Sequence, residues 1–342
     1  MTEPQALRLL HRLSFPLLFI VPVLLAAGFI HFNLDPMSEL SNNLAGDNQC
    51  SEKIAPKWQP IFVCAMTKFF TITLTPPCGF AFHAVFLSFV AAVITVTRLD
   101  ELRLSNLGRS NIITRNPQVS WLLSHVASGA VVLPLLLFPA HAAPARGFTA
   151  ASNTIHHRLP NRAELLAIPV AVGLGFIVPS LALQVWPENS VVVLFWLFFP
   201  VLVSGIYPLA RDTLKTRFSQ PENRSASEQE VTASDLLALY GLPSSVSVLS
   251  HWLFLFVTYR EKHYPYELHE AAKVSLGILR ADFWVMASTM LYWLAVEAGM
   301  STTLWTLIGS VVGGPGAGLC LGWIMRDYGL AQEAVSKAVA AR

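Results

Sequence analysis

Two ionisable side chains, Arg280 and Asp282, sit inside a run apolar enough to cross a bilayer. The run is 274–296, VSLGILRADFWVMASTMLYWLAV. A carboxyl group in lipid is costly unless it faces protein, water or an opposite charge. On a helix, Asp282, Met286, Thr289, Trp293 and Glu297 fall on one stripe at steps of three and four. An acid at one level and an aromatic wall at another can protonate an apolar molecule and shelter the resulting cation, because ring faces attract cations. The simpler role is pairing of Asp282 with Arg280 or Lys273 near the headgroups, which would only orient the helix.

Other polar groups are isolated inside apolar runs: Lys68, His83, His125 and His251. Each is chemistry in waiting or a satisfied core residue. Lys68 must snorkel or find a carboxylate. Glu297 precedes Gly299 and reads as a solvated helix end. Trp284, Tyr292 and Trp293 read as a cation shelter or as an interfacial belt. Burial disfavours the charged form of a carboxyl group, and a protonated carboxyl is what a general acid requires.

Much chemistry is absent from the sequence. Magnesium-assisted diphosphate ionisation needs clustered carboxylates, and the nearest pair is Asp100-Glu101, read as part of a loop. His156-His157 stand alone, far short of a di-iron set. No G-x-S-x-G elbow or nucleotide fingerprint occurs, so no metal or redox cofactor has visible ligands. GSVVGGPGAG, Gly309 to Gly318, lacks the strand and lysine of a phosphate loop and reads as a place of close helix approach. Cys64, Cys78 and Cys320 read as packing residues, and Cys50 as a loop thiol.

The elements that must position these groups are membrane helices. Of 342 residues, 54% are hydrophobic and 13% charged, about half the charge of a soluble domain. The fold class is all-α: a polytopic transmembrane bundle, one domain over 1–342, with about nine spans, or eight or seven if a span is re-entrant. These lie near 15–32, 58–75, 80–97, 119–139 (kinked at Pro134), 165–186, 190–209, 236–258, 274–296 and 302–325. Pro76-Pro77 predicts a tight hairpin between the second and third. Arg98 to Pro117 reads as a basic loop, and Arg211 to Ser234 as a long polar one. Basic residues divide almost evenly between the two sets of loops. No basic and aromatic stripe suggests nucleic acid.

Several segments, taken in order, carry a likeness. WQPIFVCAMTKFF follows a polar loop. IPVAVGLGFIVPSLAL and ENSVVVLFWLFFPVLVS make a pair. ILRADFWVMASTMLYWLA carries one Asp near its start, and GGPGAGLCLGWIMRD closes the series. From Trp58 onward the chain resembles the fungal integral-membrane terpene cyclases of meroterpenoid pathways, the group of the macrophorin and ascochlorin/ascofuranone cyclases. It departs from them at the turn TLTPPCGF. The resemblance implies a multi-pass enzyme of the endoplasmic reticulum, working on a prenylated aromatic or isoprenoid substrate among membrane lipids. An acid protonates an epoxide or alkene, the chain closes, and a base or water ends the reaction without a metal. Asp282 matches the family's Asp as acid or cation stabiliser. Trp58, Trp252, Trp284 and Trp293 become cavity walls, joined by Met286 and Thr289 of the Asp282 stripe, and His125 or His251 the terminal base. Two other classes stay open: a transporter or channel for a small lipophile, with Lys68 and Asp282 as a gating pair, and a scaffold without a site.

Overall fold

The computed structural model describes residues 20–31, 61–106, 111–145, 161–218, 233–263 and 268–340. Helix α1 is Ile20–His31, α2 is Ile61–Leu74 and α3 is Pro77–Asn106. The short α4 is Ile112–Arg115, and α5 is Pro117–Ala127. Helix α6 covers 129–145, with a π turn at Leu133–Leu137. Helix α7 is Arg162–Val185, with a π turn at Gly173–Ile177. Then come α8 (Ser190–Leu197), α9 (Phe199–Phe218), α10 (Ala233–His263), α11 (Glu270–Gly313) and α12 (Pro315–Ala340). No strand occurs among the described residues.

Among the described residues, four helices are long and apolar enough to cross a membrane: α3, α7, α10 and α11. The pair α8 and α9, bent by 59° at Phe198, makes a fifth if counted as one span. Helix α3 is the central pillar. Its apolar window is 89% buried, and Ala81, Ala91, Ala92, Val93 and Val96 are fully enclosed. Small and β-branched side chains there let neighbouring backbones approach. Pro77 starts α3 as a first-turn proline, so the expected hairpin after α2 forms.

The count of nine expected spans is not reached: among the described residues α1 and α2, at the first two, are shorter than a candidate span, and two more are something else. A straight helix over 117–140 would hold its ends about 35 Å apart. Instead the Asn111 side-chain amide donates to the Ala140 carbonyl at 2.8 Å. The segment expected as a span at 119–139 is therefore a helical hairpin, α5 in and α6 out. It reverses at Ser128, whose φ of 71° breaks the helix before Gly129. The π turn, not a kink, absorbs Pro134.

The expected span at 302–325 is likewise broken. Gly299 (φ 84°) and Gly314 (φ 88°) both adopt the left-handed backbone that glycine permits. Between them, residues 300–313 fold back against the start of α12. A methyl group on Gly316 would lie 2.8 Å from the Ser88 carbonyl, and one on Gly314 would lie 2.9 Å from the Ser247 carbonyl. The reversal thus sits halfway along α3 and α10, while Arg326 of α12 returns to Asp100. Both hairpins enter and leave by the end of the bundle that holds Asp100. The close approach expected of the glycines is real: a methyl on Gly318 would meet Ser310 Oγ at 2.0 Å and the Thr306 carbonyl at 2.4 Å. Gly318→Ala should destabilise by about 1–3 kcal/mol, read as a lower melting temperature in detergent. Gly277→Ala, on α11 with nothing within 4 Å, should be neutral or slightly stabilising.

Other expectations need correction. Asp100 and Glu101 are not in a loop: α3 continues through Arg98 and Arg103 to Asn106. Arg211 to Arg217 belong to α9. Cys64 is disulfide-bonded, beyond any packing role, whereas Cys78 and Cys320 are buried thiols. Cys50, Trp58, His156 and His157 lie outside the described residues.

Candidate active site

The hairpin reversal aims the N-terminus of α6 into the bundle. The first backbone N–H groups of a helix lack partners within it and carry the positive end of its dipole. Two devices satisfy them here. Ser128 Oγ accepts from the Ala130 N–H at 3.1 Å. Asp282, on α11, accepts on one oxygen, Oδ1, from Ser128 Oγ at 2.7 Å and from the Ala130 N–H at 2.5 Å. Among the described residues Asp282 therefore pairs with neither Arg280 nor Lys273. Lys273 bonds Glu270 instead, and the Arg280 guanidinium lies over the Phe82 ring at 5.7 Å. The gating pair of Lys68 and Asp282 does not form either.

Both donors converge on Oδ1, which leaves Oδ2 as the oxygen that carries a proton in the acid form. When that proton leaves, the charge is met by a helix N-terminus and two fixed donors, with no reorganisation. A half-buried carboxyl held this way can act as a proton donor or as a fixed anion beside a cation.

Next to Asp282 begins a chain of rings through the interior. Phe283 meets Phe86 at 6.5 Å, Phe86 stacks on His83 at 6.5 Å, and His83 meets Phe70 at 5.5 Å. Phe70 and His125 both abut Trp196 at 5.1 Å, and His125 also meets Phe199 at 5.3 Å. Polar atoms along this path are unsatisfied. His125 Nε2 and Gln184 Oε1 are buried without hydrogen-bond partners, although the Gln184 amide nitrogen is 3.3 Å from His83 Nδ1. Buried polar atoms left in that state call for an explanation in function or in an absent partner.

The predicted stripe on α11 exists, but most of it is packed. Met286 lies against Gly129, where a methyl would be 2.5 Å from its sulfur. The Thr289 hydroxyl bonds the Val285 carbonyl. Trp293 is enclosed by Phe138, His141 and Trp323 at 5.3–5.9 Å, so it is no open wall. Trp252 and Trp284 face outward, 58% and 65% exposed; they suit belt positions rather than a cavity. His251, on α10, packs against the second hairpin, its Nε2 3.0 Å from the Val311 carbonyl. The structure does not bring it to Asp282.

Glu297 is not a solvated end. It accepts from Trp293 Nε1 at 2.6 Å and pairs with Arg326. Arg326 also meets Asp100 at 3.1 Å, and Arg103 bridges Asp100 and Asp327, each at 2.9 Å. Tyr240 donates to Asp327 at 3.2 Å. This buried network ties α3, α10, α11 and α12 at one end, and among the described residues its carboxylates are answered by arginines.

Sequence reasoning missed Ser128, Trp196, Phe199 and the network. The Ser128-Gly129 dipeptide is a turn signal inside an apolar run, and it was the one available cue to the reversal.

No curated protein and no solved structure matches the chain. The sequence model of the CtvD domain matches residues 61–276. That stretch contains the α5–α6 hairpin, His125 and the ring path from Phe70 to Phe199, and it stops six residues before Asp282. It spans well over half of the 342 residues, from α2 into the opening turns of α11, and on that ground the chain belongs to the CtvD domain family.

Proposed function

We propose that this protein is a membrane enzyme of secondary metabolism that closes rings on a prenyl or other polyene chain by protonating an epoxide or alkene. The observation that carries the reading is the placing of Asp282, with two donors on Oδ1, one residue before Phe283, from which a run of ring contacts reaches His125, whose Nε2 has no hydrogen-bond partner. Membership of the CtvD domain family agrees with a biosynthetic role. In this scheme Asp282 Oδ2 gives its proton to the substrate, and Ser128 and Ala130 hold the carboxylate left behind. Phe283, Phe86, Phe70 and Trp196, packed on one another without substrate, would have to part to admit the chain and then shelter the cation. His125 Nε2 removes the final proton, which returns to Asp282 through solvent. The product is then an isomer of the substrate, as a terpene cyclase of the isomerase type would give. The resemblance to meroterpenoid cyclases favours a prenylated aromatic substrate and the endoplasmic reticulum membrane.

The test is conversion by purified protein in nanodiscs, without an ion gradient, of farnesylated phenols with and without a terminal epoxide. The expected result is a cyclic product of unchanged mass. One observation favours the second reading, a transporter or channel: helical hairpins that stop halfway are a common way to place helix ends in a permeation path. Gradient-driven uptake into vesicles with no conversion would establish it in place of the enzyme.

A further inference from the structure

Three carboxylates meet at the base of the second hairpin, and two guanidinium groups answer them. Asp100 faces Arg103 at 2.9 Å and Arg326 at 3.1 Å. Asp327 faces Arg103 at 2.9 Å, Arg326 at 3.6 Å and the Tyr240 hydroxyl at 3.2 Å. Glu297 has one guanidinium, Arg326, which it shares with the other two, and the Trp293 indole. Beside them on α3, Glu101 is taken up by Arg98 at 2.6 Å. Arg115 of α4 is exposed. Among the described residues the cluster is therefore one positive charge short.

An uncompensated charge inside a protein is removed by proton exchange rather than tolerated. Two side chains could take the proton. The first is His141 of α6, buried and 5.3 Å from the Trp293 ring. Its Nδ1 donates to the Leu137 carbonyl at 2.8 Å, and its Nε2 is buried with no partner. A proton on Nε2 would make a buried N–H with nothing to accept it. The second is Glu297. Its side chain is 16% exposed, against 8% for Asp100 and 0% for Asp327, so part of it stays open at the end of the bundle, where a proton can arrive. A proton also needs no cavity. The position of Glu297 gives the exchange a consequence. It lies two residues before Gly299, the first glycine hinge of the hairpin. Its pair with Arg326 closes the base of that hairpin, whose legs are 300–313 and the first half of α12. The first leg has no ionisable side chain and is exposed at Met300, Leu304 and Val311.

We propose that Glu297 is a proton switch at the base of the second hairpin. Ionised, it holds Arg326 and clasps the end of α11 to α12. When the carboxylate takes a proton from water, the resulting carboxyl group keeps the Trp293 indole and gives up Arg326. Arg326 then turns wholly to Asp100 and Asp327, so that two guanidinium groups balance two carboxylates. The leg between Gly299 and Gly314 is released at its base and swings on those two glycines. The switch does not rest on the function proposed above and serves an enzyme or a carrier alike.

Two measurements on the full-length protein in nanodiscs test this, at about pH 8 and about pH 5. The infrared difference spectrum between the two should contain a protonated-carboxyl component that Glu297→Gln lacks. Hydrogen exchange, corrected for the intrinsic pH dependence of amide exchange, should show 300–313 opening about tenfold more often at the lower pH in the wild type. Glu297→Gln keeps an oxygen for Trp293 Nε1 and cannot ionise. Its 300–313 segment should open at the faster rate at both pH values. Exchange in 274–296 should stay as slow as before, which separates a freed hairpin from a general loss of stability. Wild-type exchange of 300–313 that ignores pH would overturn the switch, and that comparison needs no variant. So would a pH response that persists in Glu297→Gln, which places the proton elsewhere, or an equal acceleration of 274–296.

Discussion

Asp282→Asn should lower product formation about 100- to 10,000-fold, the usual contribution of a positioned general acid, in a protein that folds normally. The substitution suits this site unusually well. An Asn carbonyl oxygen can occupy the place of Oδ1 and accept from Ser128 Oγ and the Ala130 N–H, now 2.7 and 2.5 Å away. The cap of α6 then survives, and only the ionisable proton is lost. Product per milligram of monodisperse protein, compared with wild type at equal melting temperature, gives the answer. If Asp282 serves only to pin the hairpin, the Asn variant should turn over like wild type. Asp282→Ala is a poorer probe, because it removes one of the two acceptors at the α6 N-terminus and strips the Ser128 hydroxyl of its partner, at a cost of about 0.5–2 kcal/mol for the lost cap contact.

The largest loss of stability should follow Arg326→Met. The arginine side chain is 11% exposed and faces Asp100, Glu297 and Asp327, carboxylates that are themselves buried. Removing one partner of a buried pair typically costs about 3–5 kcal/mol, because the opposing charge stays behind. Among the described residues Arg103 would remain to answer Asp100, Arg103 and Tyr240 to answer Asp327, and Trp293 to answer Glu297. The methionine fills most of the volume, so the loss reports charge rather than a cavity. Thermal unfolding of the detergent-solubilised protein should show a markedly lower midpoint. The double variant Arg326→Met, Glu297→Gln should regain part of it, since neighbours in one network are not additive. By contrast Lys273→Met breaks an exposed pair with Glu270 and should change stability by less than about 1 kcal/mol. A midpoint for Arg326→Met as close to wild type as that of Lys273→Met would show that the network contributes little.

The stripe of Asp282, Met286 and Trp293 was legible because a helix repeats at steps of three and four. The same geometry turns Trp284 away. Two residues from Asp282 is about 200° around the helix, and Trp284 is indeed on the outside; the resemblance to cyclases favoured an inward role that the spacing opposed. The hairpins were not legible by length. An apolar run of twenty residues reads the same whether it crosses or turns back at Ser128. Nor could spacing show that Asp282 lies against Ser128, 154 positions earlier, or that Arg326 seeks Asp100, 226 positions earlier. Charged residues at a helix end look solvated until their partners are seen, which is why Asp100, Glu101 and Glu297 were placed in loops or at ends. The two reversals did leave marks, Ser128-Gly129 and Gly313-Gly314-Pro315, whose force was hidden by the hydrophobicity around them.

A hairpin that leaves by the door it entered adds nothing to the tally of crossings, and every later segment changes sides. With nine crossings, Arg162, Arg211 and Arg217 fall opposite Arg98, Arg103 and Arg326. With α5 and α6 folded back they share one face: Arg162 bonds Asp235 at the start of α10, five residues before the Tyr240 that reaches Asp327. The far face keeps Arg260, Lys262 and Lys273 among the described residues. Among the described residues a balance that looked even becomes lopsided, and by the positive-inside rule the arginine-rich face is the one expected in the cytosol.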